Sequence, residues 1–349
     1  LELASRLKPF EHWLWGRLTG KVLDVGDGSR LVAKGLNARR RGNLIARKFK
    51  AIEECVCVEI DGAAFEAHVG PYQLKHEHAF YARAFPGDKR LAYLLSKQLK
   101  LKGVLSCNAF FERPGARASG DFNTGMGNSL IFLVEIVAAL RGLGIHFDVL
   151  VDGDNVLVFV SKQHLGRLLS DLPVAVRASS GHECTVERPA HRLEDVRFGG
   201  CAPVWTPDGW TMVREWNRVV STAVSSHIHL RHWNFARPWV SGVLQCELSM
   251  AQGIPILQSW ARRSLDVLGE KRARDDFYAD YRAVGASFEV KTRPVAMGTR
   301  LSFERAFGVS VERQLALEQT LVVRLSTDYR VEDPVTFADW DNVPIHSCT

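Results

Sequence analysis

Residues Phe147 to Val160 read FDVLVDGDNVLVFV. Two apolar runs rich in β-branched residues flank the polar stretch Asp152-Gly153-Asp154-Asn155, the pattern of a β-hairpin with two carboxylates at its tip. Alone, such a stretch is only a turn, because Gly supplies backbone freedom and Asp and Asn accept local hydrogen bonds. A second strand changes its meaning. The segment CVCVEI, Cys55 to Ile60, ends at Asp61, 93 residues before Asp154. Between the two, a loop rich in Gly, Ser and Asn opens a long apolar helix. Two strand-borne carboxylates drawn from such separate places form a candidate site for divalent cations, the arrangement that phosphoryl transfer uses.

Composition bounds the rest. With 349 residues, 46% hydrophobic and 24% charged, the chain can bury one large core or several smaller ones and is not a disordered polymer. The formal charge of +6 and pI near 9.0 permit a polyanionic partner. From Asp27 to Lys50 eight Lys and Arg residues stand against one Asp, a local field suited to phosphates, although a solvated basic helix face has the same composition. The seven cysteines are odd in number and lack zinc-site spacing, so reduced thiols in a cytosolic setting are expected. His68, His76, His78 and His182 match no histidine metal motif. The longest apolar run, Leu130 to Leu140, is interrupted by Glu135 and is too short to cross a bilayer. The chain opens on Leu in what already reads as an interior helix, which points to a segment of a longer polypeptide.

Taken in order, Leu1 to Leu18 reads as a packed helix, and a basic helix starts near Asn37. Arg39, Arg40, Arg41, Arg47 and Lys48 can meet a nucleic-acid backbone or a triphosphate around it. Glu66 follows Asp61 by five positions and reads equally as a site residue or as a helix N-terminal acid. A helix is expected past Pro71, and a helix followed by a strand between Leu91 and Leu105. In RPGARASGDFNTGMGN, Arg113 to Asn128, the side chains of Ser119, Thr124 and Asn128 have the length to meet a ribose hydroxyl. No phosphate-binding G-x-x-x-x-G-K-[ST] loop is present. An amphipathic helix is expected over Lys162 to Leu172, strands at Val174 to Val176 and Glu183 to Val186, and a Gly-Gly turn inside an apolar hairpin at Val196 to Val204. Composition shifts near residue 220. Trp233, Phe235, Trp239 and Trp260 beyond it are expected in a core, and the tail past Pro334 shows no periodicity.

These pieces resemble the palm of viral RNA-dependent RNA polymerases, specifically the tombusvirus-like group and its fungal-virus (ambiguivirus-like) branch whose catalytic turn ends in Asn. DGAAFEAHV matches the first palm motif, SGDFNTGMGN the second and VDGDNVLVF the third. ECTVERPAHRLEDVRFGGCAPVW covers the fourth and fifth, with KGLNARRRG in the fingers ahead of them. The resemblance implies an α+β, right-hand polymerase with an antiparallel-sheet palm of RRM-like core, partial fingers and a mainly helical thumb. It assigns fingers to 1–50, palm to 51–219 with an inserted fingers segment near 86–112, and thumb plus C-terminal tail to 220–349.

The resemblance further implies template-directed addition of nucleoside monophosphates to an RNA 3′ end, replicating a positive-sense RNA genome. Two Mg²⁺ ions, replaceable by Mn²⁺, would be held by Asp61 and Asp154 with the Gly62 carbonyl, and Asn155 would complete the catalytic set. Glu66 and Asn128, helped by Thr124, would select ribose, while Ser119 and Gly120 let the loop move. Lys34, Arg39, Arg40 and Arg41 would meet RNA or phosphate, and Phe198-Gly199-Gly200-Cys201 would form the primer-grip turn. Implied partners are RNA template and nascent RNA, NTPs and other viral replication proteins. The implied setting is the host cytoplasm, with membrane attachment only through regions outside this chain.

Three departures from the family pattern stand out. Asn155 replaces a second Asp, Glu66 replaces an Asp, and Thr185 stands where a lysine often protonates pyrophosphate, leaving water or Arg188 as the acid. The family's basic triphosphate-gripping strand would precede Leu1. Two other readings compete: a catalytically silent palm-fold RNA-binding or assembly subunit, and a template-independent cyclase-like phosphotransferase.

Overall fold

The computed structural model describes residues 1–325. Through the first 215 residues the elements run α1 (Glu2–Arg17), α2 (Gly20–Leu23), α3 (Ala38–Ala51), β1 (Cys55–Gly62), α4 (Phe65–His68), α5 (Pro71–Ala84) and α6 (Lys89–Ser96). Next come β2 (Lys100–Val104), β3 (Phe110–Pro114), α7 (Thr124–Gly142), β4 (Phe147–Asp152), β5 (Asn155–Ser161), α8 (Leu165–Ser180), β6 (Cys184–Val186), β7 (Cys201–Thr206) and β8 (Gly209–Arg214). The remainder is helical: α9 (Trp216–Thr222), α10 (Trp233–Met250), α11 (Leu257–Leu268), α12 (Ala279–Ala283), α13 (Met297–Phe307) and α14 (Val311–Thr320).

The described residues divide into two compact units, 1–215 with 297–309, and 216–296 with 310–325. In the first, an antiparallel sheet of order β4-β5-β1-β6 is laid down as β1, helices, β4-β5, α8, β6, the βαββαβ topology of ferredoxin-like and RRM-like cores. Both faces are covered over most of its length, and so β5 reads as a continuous apolar run without alternation. Val56, Val58, Ile60, Val156, Val158 and Val160 face α5, α7 and α8 through Leu74, Phe132, Ile136, Leu168 and Val176. On the other face Cys55, Cys57, Leu157 and Phe159 pack with Ile45 and Ala46 of α3 and with Phe198 and Met212. That second layer stops short of Asp61, Asp154 and Asn155, which remain half-buried.

Helix ends follow local chemistry. Asn37 caps α3, its side chain accepting from the Arg40 amide at 2.9 Å. Pro71 begins α5, where its missing N–H costs nothing.

Two local expectations are corrected. Val174 to Val176 is not a strand but the continuation of α8: Leu168, Leu172 and Val176 recur every four residues on the buried face and Val174 is 67% exposed. Pro173 lies inside that helix instead of ending it. The hairpin expected around Gly199-Gly200 is two features. The glycines close a tight bridge between Phe198 and Cys201, and the hairpin proper, β7 with β8, turns at Pro207-Asp208. Gly199 and Gly200 have φ of +56° and +69°, which their lack of a Cβ makes inexpensive.

The apolar run of the sequence belongs to a longer helix than expected. α7 has 19 residues and a mean hydropathy of 1.3, enough by length and composition to cross a membrane. Met126, Phe132, Leu133, Ile136, Val137 and Leu140 lie buried in the core, so in this fold it is a core helix.

In the second unit, α10 and α11 supply a core that includes Trp239, Val240, Leu244, Trp260 and Leu265. Trp239 and Trp260 are buried as expected and Phe235 is half-buried, while the Trp233 side chain lies outside those described. The tail past Pro334 lies outside the described residues.

Candidate active site

Strand register builds the site. Asp152 pairs with Asn155 across β4-β5, Asn155 with Asp61 across β5-β1, and Asp61 with Thr185 across β1-β6. Directly paired residues share a face. Asp152, Asn155, Asp61 and Thr185 therefore form one row across all four strands, at the end of the sheet that the second layer leaves uncovered. Gly153 and Asp154 form the two-residue turn beside this row, Gly153 with φ of +71°. The Gly62 amide donates to the Asp154 carbonyl at 2.9 Å, pinning the turn against β1. A Cβ on Gly62 would come within 2.6 Å of the Phe65 ring, so only glycine fits there.

Electrostatics distinguishes the acids. Burial, then the negative charges of Asp154 and Glu187, push the Asp61 carboxyl above its ordinary range, a cost that an oxygen-seeking cation would relieve. Among the described residues no group of three or more His, Cys, Asp or Glu side chains is arranged to hold a metal ion. Asp152 is already neutralised, by Lys34 at 3.0 Å and Arg41 at 2.6 Å.

The profile of the family described as "Viral RNA dependent RNA polymerase" matches residues 1–327. The chain belongs to that viral polymerase family. It is 31% identical to the RNA-directed RNA polymerases of Cymbidium ringspot virus and of Tomato bushy stunt virus (strain Cherry), each over 333 residues, covering 92% of this chain and 39% of the relative. To that of Carnation mottle virus it is 29% identical over 330 residues, covering 91% of this chain and 41% of the relative. The chain thus spans about two fifths of the length of the curated relatives it matches.

In this viral polymerase family member the second group of expected site residues divides. Glu66, on α4, is half-buried and accepts from the Asn128 amide at 3.1 Å. Asn128 is only 2% exposed, so Glu66 is the accessible partner of the two. Thr124 is tied down locally, its hydroxyl donating to the Ala118 carbonyl at 2.8 Å. Ser119 and Gly120 are exposed on the loop ahead of α7.

The basic residues also separate. Lys34 and Arg41 hold Asp152, the exposed Arg39 pairs with Asp208 at 2.8 Å, and Arg40 is exposed. Arg41 additionally lies over the Phe198 ring, 5.5 Å from its centroid, joining the Asp152–Asn155 turn to the Phe198-Cys201 turn. Phe198 itself is fully buried, leaving Gly199 and Gly200 as the exposed part of that turn. The Cys201 thiol is pushed up by burial, with Arg214 and Arg41 opposing.

Several residues that matter escaped sequence reasoning. Ser129 accepts from the Gly153 amide and donates to the Gly125 carbonyl, both at 2.8 Å, so α7 holds the Gly153-Asp154 turn directly. Glu59 shares the face of Asp61; burial, opposed by a hydrogen bond from the Gly199 amide and reinforced by Glu187 and Asp61, pushes its carboxyl up to about 7. Two-residue spacing from Asp61 was a legible signal for it. Glu59, Glu187, Arg188, His191 and Arg197 line a cleft of about 540 Å³. Lys48, expected to meet phosphate with the other basic residues of α3, is instead fully buried and pairs with Asp148 of β4 at 2.7 Å. Their 100-residue separation left no sequence signal.

Proposed function

We propose that this chain is the catalytic part of an RNA-directed RNA polymerase, which joins NTPs to an RNA 3′-hydroxyl on an RNA template and so replicates a positive-sense RNA genome. The observation that carries the proposal is the register that sets Asp61 beside Asn155, with Asp154 in the adjoining turn, at the uncovered end of the sheet. On this reading the first unit is palm with fingers segments and the second a helical thumb, in a right-hand arrangement.

Asp61, Asp154 and the Gly62 carbonyl offer only oxygen donors, which suits hard cations. When bound, a pair of Mg²⁺ ions, or Mn²⁺ in their place, would neutralise charge at the phosphates and favour the ionised 3′-hydroxyl. Asn155 keeps the size and hydrogen-bonding capacity of Asp without its charge and orients its neighbours in the row. This Gly-Asp-Asn turn supports placement in the corresponding fungal-virus branch. Glu66 accepts a hydrogen bond from the ribose 2′-hydroxyl and Asn128 holds Glu66 in place. Ser119 and Gly120 give the loop freedom to admit the nucleotide, and the Gly199-Gly200 backbone supports the primer end.

The reaction forms a bond from the 3′-oxygen to the α-phosphorus and breaks the α–β phosphoanhydride. Pyrophosphate leaves, with water as its proton source, because a guanidinium such as Arg188 stays charged and can only offset the anion. Arg40, with Lys34 and Arg41 after rearrangement, contacts phosphates. Other replication proteins, and attachment to host cytoplasmic membranes, would involve regions outside this chain.

The test is Mg²⁺-dependent extension of an oligo(U) primer on poly(A) by the full-length polypeptide. The wild type should extend the primer and Asp154→Ala should not; retained extension in the variant sinks the assignment. RNA binding without incorporation by the wild type, with either metal, would favour the silent palm-fold subunit, and turnover without template would favour the cyclase-like reading.

A further inference from the structure

Beneath Glu66 and Asn128 runs a buried polar chain that the proposed reaction does not use directly. Arg117 donates through Nε to the Asn128 Oδ1 at 3.1 Å, while the Asn128 Nδ2 donates to Glu66 Oε1 at 3.1 Å. One end of the amide is thus held by a cation and the other by a carboxylate, which fixes its orientation without ambiguity. Arg117 is held in turn by an ion pair with Glu77 of α5; the side chains are 1% and 0% exposed. Glu77 also accepts from Tyr81 Oη at 2.6 Å and from Asn123 Nδ2 at 2.8 Å. Gln98 continues the chain to the Asn123 Oδ1 at 2.7 Å.

Two features say that this ion pair is not there for stability alone. Arg117 Nη1 is buried with no hydrogen-bond partner, an uncompensated cost, and buried ion pairs as a class stabilise little against apolar replacements. The fold also makes room for it. A Cβ on Gly127, one residue before Asn128 on α7, would run into Arg117 Nη2 and Glu77 Oε1.

We infer that the Arg117–Glu77 pair is a positioning device for ribose recognition: through Asn128 it sets the Glu66 carboxylate that meets the 2′-hydroxyl, and so governs discrimination between ribo- and deoxyribonucleotides. The inference rests on the reading above that Glu66 faces the ribose. Arg117→Lys keeps the charge opposite Glu77 but loses the planar fork that serves Glu77 and Asn128 together. Glu66 then samples orientations that no longer favour a 2′-hydroxyl.

The experiment measures kcat/KM for an NTP and for the matching 2′-dNTP in the full-length polypeptide, for the wild type, Arg117→Lys, Glu66→Ala and Tyr81→Phe. Arg117→Lys should lower the NTP/dNTP ratio by about tenfold, the equivalent of one charge-assisted hydrogen bond. Tyr81→Phe removes the hydrogen bond to Glu77 Oε1 and leaves the Arg117 contact on Glu77 Oε2, and hence Asn128, in place. It serves as the control for a merely structural effect and should leave the ratio within about twofold. If Arg117→Lys yields no folded protein, Gly127→Ala, which displaces the ion pair without altering its charges, should lower the same ratio. A ratio that falls in Glu66→Ala but holds in Arg117→Lys and Gly127→Ala overturns the inference alone. A ratio unchanged in Glu66→Ala overturns the ribose reading itself, and the inference with it.

Discussion

Replacing Lys48 by Met is expected to be among the most damaging single changes to the first unit. Lys48 is fully buried on α3 and its ammonium lies 2.7 Å from Asp148 at the start of the strand that leads into the Gly153-Asp154 turn. Burial lowers the Lys48 pKa and the Asp148 charge opposes that shift, so the pair sits where desolvation and attraction compete. Asp148 also accepts from the Asp27 amide at 3.2 Å and the Val149 amide at 2.7 Å. Met fills the space of the lysine stem but strands a carboxylate that is 1% exposed. Breaking one side of such a pair costs about 3–5 kcal/mol. In a unit of this size that is a fall in Tm of roughly 10 °C.

The cycle is completed with Asp148→Asn, which removes the charge and keeps an oxygen for one of the two amides, since they donate to different carboxylate oxygens. Lys48→Met/Asp148→Asn should recover most of the loss, leaving about 1–2 kcal/mol for the missing charged hydrogen bond. Thermal and urea denaturation followed by far-UV circular dichroism give both numbers. A Lys48→Met penalty under about 1 kcal/mol, or a double variant no more stable than the single, refutes the reasoning.

Other consequences follow from the same geometry. Ser129→Ala removes the acceptor that holds the Gly153 amide and should lower kcat for nucleotide addition about tenfold with little change in Tm; equal kcat would show that the turn holds itself. Asp152→Asn releases Lys34 and Arg41 from their carboxylate, so single-stranded RNA should bind more tightly and its log K against log salt plot should steepen by about 1 in filter binding. An unchanged slope would mean that neither cation reaches RNA. In a Cys348→Ser background at pH 8, iodoacetamide should modify the exposed Cys107 first. Cys55 and Cys246, whose thiols burial pushes up to about 12, should react only on unfolding, and prompt labelling of either would contradict their burial.

The elements that position the site were legible because local chemistry determines them. The Gly153-Asp154 turn follows from its residues, and the α3 start from the capping side chain of Asn37. α8 was misread past Leu172 because Val174 and Val176 look like strand and Pro173 like a stop, whereas tertiary burial of Leu168, Leu172 and Val176 overrides both signals. The sequence offers Asp61 and Asp154 as a candidate pair, but the register that sets Asp61 opposite Asn155 joins residues 94 positions apart and was not legible. The Glu77–Arg117 and Lys48–Asp148 pairs were illegible for the same reason: residue type shows what can pair, and only the fold shows what does. Lys34 and Arg41 illustrate the converse, being read as free for phosphate while the fold engages both with Asp152.

The central claim is that the Asp61 and Asp154 carboxylates together hold divalent cations at this end of the sheet. Mn²⁺ titration followed by electron paramagnetic resonance, with NTP present, tests it directly in the full-length polypeptide. The wild type should bind two ions per chain, and Asp61→Asn and Asp154→Asn should each lose at least one while keeping the wild-type circular dichroism spectrum. Two ions bound with unaltered affinity in either folded variant would contradict the account.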